Sequence, residues 1–262
     1  MFKKMIIIGV IVLIILILVV LLLFRKKNGE NQMLESLKEL SYEKSDGRSM
    51  YGRVSYHILC DDSCILESNL DGYHEEDIMK SEVDSDTLEE ILSVLNQYHV
   101  SSWDGFNKVD KTVLDGSNFT FKVVTKEGKR VYATGYMKYP KNYREVINEL
   151  TKIFDRINQI HFKKLFEMEP YHMISLENIE KIKIDEVRES GIETKEITEE
   201  EEIKKIFEKF QNMEIGITCR IEVDDYSTIY HFILKDNQDI KVEDNYYSMV
   251  IDGKHYYYRE RN

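Results

Sequence analysis

The sequence predicts an α+β protein: one N-terminal transmembrane helix, then two small modules that each pack a helix on an antiparallel sheet. Three observations predict it. Residues 5–24 form one uncharged apolar run. Beyond residue 50, short segments alternate apolar and polar side chains with the period of half-buried strands. Between them lie three segments whose apolar residues recur at helical spacing.

The run MIIIGVIVLIILILVVLLLF, Met5 to Phe24, is twenty residues long. A helix rising about 1.5 Å per residue makes it roughly 30 Å, the thickness of a bilayer's hydrocarbon core. In that core a lone segment satisfies its backbone polar groups only as a helix. A cleaved signal would be shorter and end at small residues. Here Leu22-Leu23-Phe24-Arg25 follows, the only Ala is Ala133, and the first cysteine is Cys60, past any acylation site. The expected organisation is an anchor over 1–27, a polar stalk over 28–47, and modules over 48–169 and 170–262, with the lipid bilayer as partner of residues 5–24. Lys3 and Lys4 precede the run while Arg25, Lys26 and Lys27 follow it, a near-tie under the positive-inside rule.

All 48 acidic residues, but all except five of the 36 basic ones, lie beyond residue 27. So acidic a region is a poor match for nucleic acid, which wants Lys/Arg patches. The acidity and a paired-cysteine turn favour outward display. The localisation this implies is a single-pass plasma-membrane protein with its C-terminal region extracytoplasmic. Abundant Ile, Lys, Glu, Asn and Tyr with two prolines is the composition of an AT-rich bacterial genome.

The elements follow in order. Val54, Tyr56 and Ile58 alternate as a strand, Cys60 to Cys64 turns the chain, and Ile65 to Leu70 runs back. Asp86 with Glu89 caps a helix whose stripe is Leu88, Ile91, Leu92 and Leu95. Asp-Gly turns at 104–105 and 115–116 precede a hairpin, Phe119 to Thr125 and Arg130 to Thr134. After Pro140, Tyr143, Val146, Ile147, Leu150, Phe154 and Ile157 form a second helical stripe. Ile179, Ile182 and Ile184 open the second module. Thr198 to Glu201 reads as a capping box for a helix with Ile203, Ile206, Phe207 and Phe210 inward. The Glu199 to Glu202 run lies at the positive end of that helix. Strands then follow over 215–223, 230–234 and 240–242, with a hairpin about Asp252-Gly253.

Chemistry-bearing motifs are sparse. Cys60 and Cys64 bracket Asp-Asp-Ser closely enough for a disulfide if their Cβ vectors agree, the alternative being two free thiols. So small a loop contributes at most about 2 kcal/mol. One C-x₃-C pair without a second pair or a histidine set is no metal site. Seven histidines are scattered without H-E-x-x-H, and G-x-S-x-G, G-x-G-x-x-G and P-loop patterns are absent. Asp104, Asp110 and Asp115 do not match calcium-loop spacing. No cofactor is expected. A carboxylate pair for glycoside hydrolysis leaves no spacing signature, so the sequence names none.

The most distinctive stretch is Trp103-Asp104-Gly105-Phe106, Leu114-Asp115-Gly116-Ser117, Gly128, Gly135 and Tyr139-Pro140. Over roughly residues 50–155 it resembles an uncharacterised domain recurring in membrane-anchored surface proteins and lipoproteins of low-GC Gram-positive bacteria. The resemblance implies location and nothing catalytic. Trp103 and Phe106 have two readings, anchors of the loop to a core or an exposed ligand platform; as a platform they would form a ligand site with Asp104 and Asp115. The functional expectation is a non-enzymatic binding or sensing module with a protein or envelope-polymer partner. Its alternatives are a membrane-tethered envelope hydrolase working through carboxylates and a cytosol-facing interaction domain.

Overall fold

A computed structural model of the chain describes residues 33–47, 53–69, 78–168, 170–188, 190–215, 227–244, 248–251 and 254–259. The first module opens with a four-strand meander, β1 (Glu39–Asp46), β2 (Arg53–Cys60), β3 (Cys64–Asn69) and β4 (Met79–Val83). Helix α1 (Ser85–Gln97) follows, then β5 (Phe106–Val109), β6 (Ser117–Val124), β7 (Arg130–Tyr136) and the long helix α2 (Tyr143–Leu165). The second module contains β8 (Ile179–Arg188), β9 (Gly191–Ile197), α3 (Glu200–Gln211) and β10 (Glu214–Ile215). It closes with β11 (Ser227–Leu234), β12 (Asp239–Asp244), β13 (Ser248–Ile251) and β14 (Lys254–Arg259).

Two seven-stranded sheets result, ordered β4-β3-β2-β1-β6-β7-β5 and β10-β14-β13-β12-β11-β8-β9. They are wound alike. In each, the first strand lies inside the sheet and the chain leaves it to one edge, by β2-β3-β4 or by β9 alone. A helix then crosses, a short strand (β5 or β10) closes the far edge, and the remaining strands fill the space between. All pairings are antiparallel except β5 with β7.

The expected α+β class, with small modules of one antiparallel sheet and a helix each, is corrected by this architecture: strands dominate, and among the described residues three α-helices cover one face of two seven-stranded sheets. The reason lies in segments whose pattern is faint. Glu39–Asp46, inside the expected stalk, buries Leu40 and Tyr42 among polar neighbours, yet pairs with β2 and β6 as a central strand. A strand buried on one face needs no more than every second residue apolar. In β9 only Ile197 is buried, so alternation is almost invisible there.

The membrane expectation is corrected too. Among the described residues no helix is long and apolar enough to cross a membrane. α2 has the length, 23 residues, but carries Arg144, Glu145, Glu149, Lys152, Asp155, Arg156, Lys163 and Lys164. The run 5–24 on which the single-pass, plasma-membrane reading rests lies outside the described residues.

Each sheet has its own core. Ile91 and Leu95 of α1, with Val146, Leu150, Ile153, Phe154 and Ile157 of α2, pack on Tyr56, Ile58, Leu66, Phe119, Phe121 and Val123. Ile203 and Phe210 of α3 pack on Ile182, Phe232, Leu234, Ile240 and Val242. α2 serves both cores, because Phe162 in its last turns belongs to the second, and Gln159 donates through Nε2 to the Met213 carbonyl at 2.9 Å. The helix caps differ from those expected. Asp84, two residues before Asp86, caps α1 by accepting from the Thr87 N–H at 2.7 Å. α3 starts after Glu199 with no side-chain cap bond, its first turn holding Glu200, Glu201 and Glu202. The expected strand over 215–223 and the Asp252-Gly253 turn fall almost wholly outside the described residues, although β13 and β14 do pair across that turn.

Candidate functional site

The helices cover one face of each sheet, and the opposite faces carry the polar side chains. On the first sheet these form a row across five adjacent strands. Lys80 (β4) lies opposite Glu67 (β3), which lies opposite His57 (β2). Lys80 Nζ is 2.7 Å from Glu67, whose other oxygen is 3.7 Å from His57 Nδ1. On the far side His57 Nε2 is 3.5 Å from Glu39 (β1), to which Lys122 (β6) donates at 2.7 Å. The hydrogen bond from Lys80 is the main reason the Glu67 carboxyl sits below the ordinary carboxylate range.

Three residues beyond His57 along the same strand, the β2–β3 hairpin closes through a disulfide between Cys60 and Cys64, which are directly paired across the strands. Beside it is a shallow depression of about 380 Å³ lined by Leu59, Asp61, Asp62, Ser63, Ile65, Glu67 and Lys80. Its lining joins two apolar side chains to three carboxylates and one ammonium, and that ammonium, Lys80, is already paired with Glu67. The disulfide restrains the Asp61-Asp62-Ser63 turn, so these side chains are positioned before any partner arrives.

The second sheet repeats the plan. His231 (β11) presents Nε2 to Asp185 (β8) at 3.2 Å and Nδ1 to Asp239 (β12) at 3.0 Å. Asp185 accepts from the Thr194 hydroxyl at 2.7 Å, the first reason its carboxyl is held low, and from Lys183 at 3.1 Å. A histidine acting as general base needs one ring nitrogen free to accept a proton from a nucleophile. Both nitrogens of His231 face carboxylates, so the arrangement ties three strands together. On the covered face, Lys209 of α3 reaches buried Asp244 at 2.6 Å. Burial alone would lower the Lys209 pKa, but the Asp244 charge and the Tyr230 hydroxyl outweigh it and raise it.

The residues singled out from sequence do not converge on the surface. Trp103 is 1% exposed, packed edge-on to Phe121 with centroids 5.1 Å apart, and its Nε1–H donates to the Lys141 carbonyl at 3.0 Å. Asp104 staples the loop to β7: its carboxylate accepts from the Tyr132 N–H, and the Gly105 N–H donates to the Tyr132 carbonyl, both at 3.0 Å. Gly105 has φ +75°, a backbone that disfavours side chains. Phe106 is half-buried in β5, 6.3 Å from Phe119. Asp115 stands exposed on the turn before Gly116, whose N–H donates to the Tyr136 hydroxyl at 2.7 Å. Gly135 is needed for close packing: a Cβ there would lie 2.2 Å from the Lys138 carbonyl and 2.7 Å from the Phe119 ring. These motif residues build the loop and its core contacts; they do not form one exposed platform.

Sequence reasoning missed His57, Glu39, Glu67, His231, Asp185 and Asp239. Each lies at an outward position of a strand, but only strand register shows which outward residues meet. No group of three or more His, Cys, Asp or Glu among the described residues is arranged to hold a metal. Glu67, Asp84, Asp110, Glu127 and Asp185 all sit below the ordinary carboxylate range. Fold and site together define a two-module, β-rich protein with one helix-covered and one polar face on each sheet. No protein-family model matches the chain, and no curated protein matches it.

Proposed function

We propose that the chain is a binding module, without catalysis of its own, whose partner docks on the polar face of the first sheet at the disulfide-closed hairpin. The observation that carries this reading is the depression of about 380 Å³ whose lining joins Leu59 and Ile65 to Asp61, Asp62 and the Glu67–Lys80 pair, so that Asp61 and Asp62 leave it net negative. Its chemistry suits a positively charged group on an apolar stem, such as a lysine or arginine side chain of a partner protein. Of these carboxylates Glu67 is held below the ordinary range, chiefly by the hydrogen bond from Lys80, which favours its charged form.

The test is isothermal titration of the full chain with a short peptide of alternating leucine and lysine, against a second peptide with glutamate in place of lysine. Heat of binding from the lysine peptide alone, weakened by salt and lost in the Asp61→Asn/Asp62→Asn variant, is expected. Equal binding of both peptides, or binding that the double variant leaves intact, refutes the reading.

A further inference from the structure

The edge of the second sheet carries a chemistry that selects its own partner. β9 is the last strand of that sheet, bonded to β8 on one side. Gly191 to Glu196 are all exposed, and among the described residues no strand lies on the other side. A strand edge presents unpaired N–H and C=O groups that another strand can complete. Charged side chains on an edge ordinarily discourage that. Here they run Glu193-Thr194-Lys195, a pattern complementary to itself when reversed.

We propose that β9 pairs antiparallel with β9 of a second copy of this chain about a two-fold axis at Thr194, making one continuous sheet from two. In this register Glu193 of each copy lies opposite Lys195 of the other, twice by symmetry, and Thr194 lies opposite Thr194. Opposite charges and Thr–Thr pairs both favour antiparallel strands. Moving the axis by one residue sets Glu193 against Glu193 or Lys195 against Lys195, so like charges reject the neighbouring symmetric registers. The charges are available for this. Lys195 reaches only Glu202, at 3.5 Å with both side chains largely exposed, and Glu193 makes no ion pair among the described residues. Exposed Ile192 then lies opposite the methylene stem of Glu196 from the other copy. Such a contact is isologous and closes at two copies.

The test is oxidative cross-linking of the full chain, read by non-reducing electrophoresis. In the proposed register the two Thr194 Cα atoms lie about 5 Å apart, within disulfide reach, and the two Ile192 Cα atoms about 14 Å apart, beyond it. Thr194→Cys is expected to give a covalent dimer, and Ile192→Cys no more dimer than the unsubstituted chain. Adding Glu193→Lys to Thr194→Cys turns both charge pairs repulsive and is expected to cut the dimer roughly ten-fold. Adding Lys195→Glu as well restores the pairing with signs exchanged and returns the yield. The proposal is overturned if Thr194→Cys cross-links no better than Ile192→Cys, if Glu193→Lys leaves the yield unchanged, or if the exchanged pair fails to rescue it.

Discussion

Truncating Trp103 to alanine separates an anchor of the first core from a surface for ligands. The indole is packed against Phe121 and Tyr143 at centroid distances of 5.1 and 6.0 Å, and its N–H holds the Lys141 carbonyl just before α2 begins. Removing a fully buried tryptophan costs about 3–5 kcal/mol, the lost transfer energy plus the cavity left behind. Trp103→Phe keeps most of the ring and loses the hydrogen bond and some packing, for about 1–2 kcal/mol. At this chain length Trp103→Ala is then expected to lower the melting temperature by on the order of 10 °C. Because Trp103 is the only tryptophan, unfolding is followed by circular dichroism in urea, and the parent's fluorescence serves as a control. A core indole emits in the blue and resists quenching by acrylamide. The reasoning fails if Trp103→Ala costs less than about 1 kcal/mol. It fails equally if Trp103→Phe keeps its stability and loses peptide binding, since the ring would then be touching ligand.

Two further outcomes follow from buried and exposed polar groups. Asn158 of α2 is fully buried, its Oδ1 accepting from Ser68 and Ser81 at 3.3 Å and its Nδ2–H donating to Ser68 at 3.0 Å. Asn158→Leu strands both hydroxyls and is expected to cost about 2–4 kcal/mol, most of it recovered when Ser68→Ala and Ser81→Ala are added; equal stability of the single and triple variants in denaturant titrations counts against this network. Asp110 is held down to about 2 by the Thr112 hydroxyl, then by Lys138 and the Thr112 N–H. A depressed carboxyl binds its proton more weakly folded than unfolded. Its stabilising effect is therefore complete above the unfolded carboxyl range, about pH 4, and is lost as pH falls from there toward about 2. Melting temperatures of Asp110→Asn and parent should converge over that window; curves that stay parallel to low pH contradict the assignment.

Helices were the most legible part of the fold. The stripes ending at Leu95, Ile157 and Phe210 each match an observed helix, because a 3.6-residue period over three turns is hard to produce otherwise. Strands were legible where both flanking turns carried Asp, Gly or Pro, as in the hairpin of β6 and β7. They were lost where few side chains are apolar, as in β1 and β9, or where the strand is short, as in the four residues of β5. The spacing of three between Ile179 and Ile182 departs from alternation, and the register of β8 with β11 shifts there, next to Leu234. The Trp103 motif was visible as unusual, but its packing was not: both a core anchor and a ligand platform use a large ring beside a tight turn.

By itself, the sequence determined the local choices: where helices run, which turns bend sharply, and which side of each clear strand is apolar. These depend on residues a few positions apart, whose mutual geometry the backbone dictates. Only the tertiary structure decided which polar side chains meet. Lys80, Glu67, His57, Glu39 and Lys122 span more than eighty positions of chain and become neighbours through strand order and register. Side-chain period along a strand says which face a residue is on. It carries no information about what lies beside that residue on the next strand, and the candidate site is made of those sideways contacts.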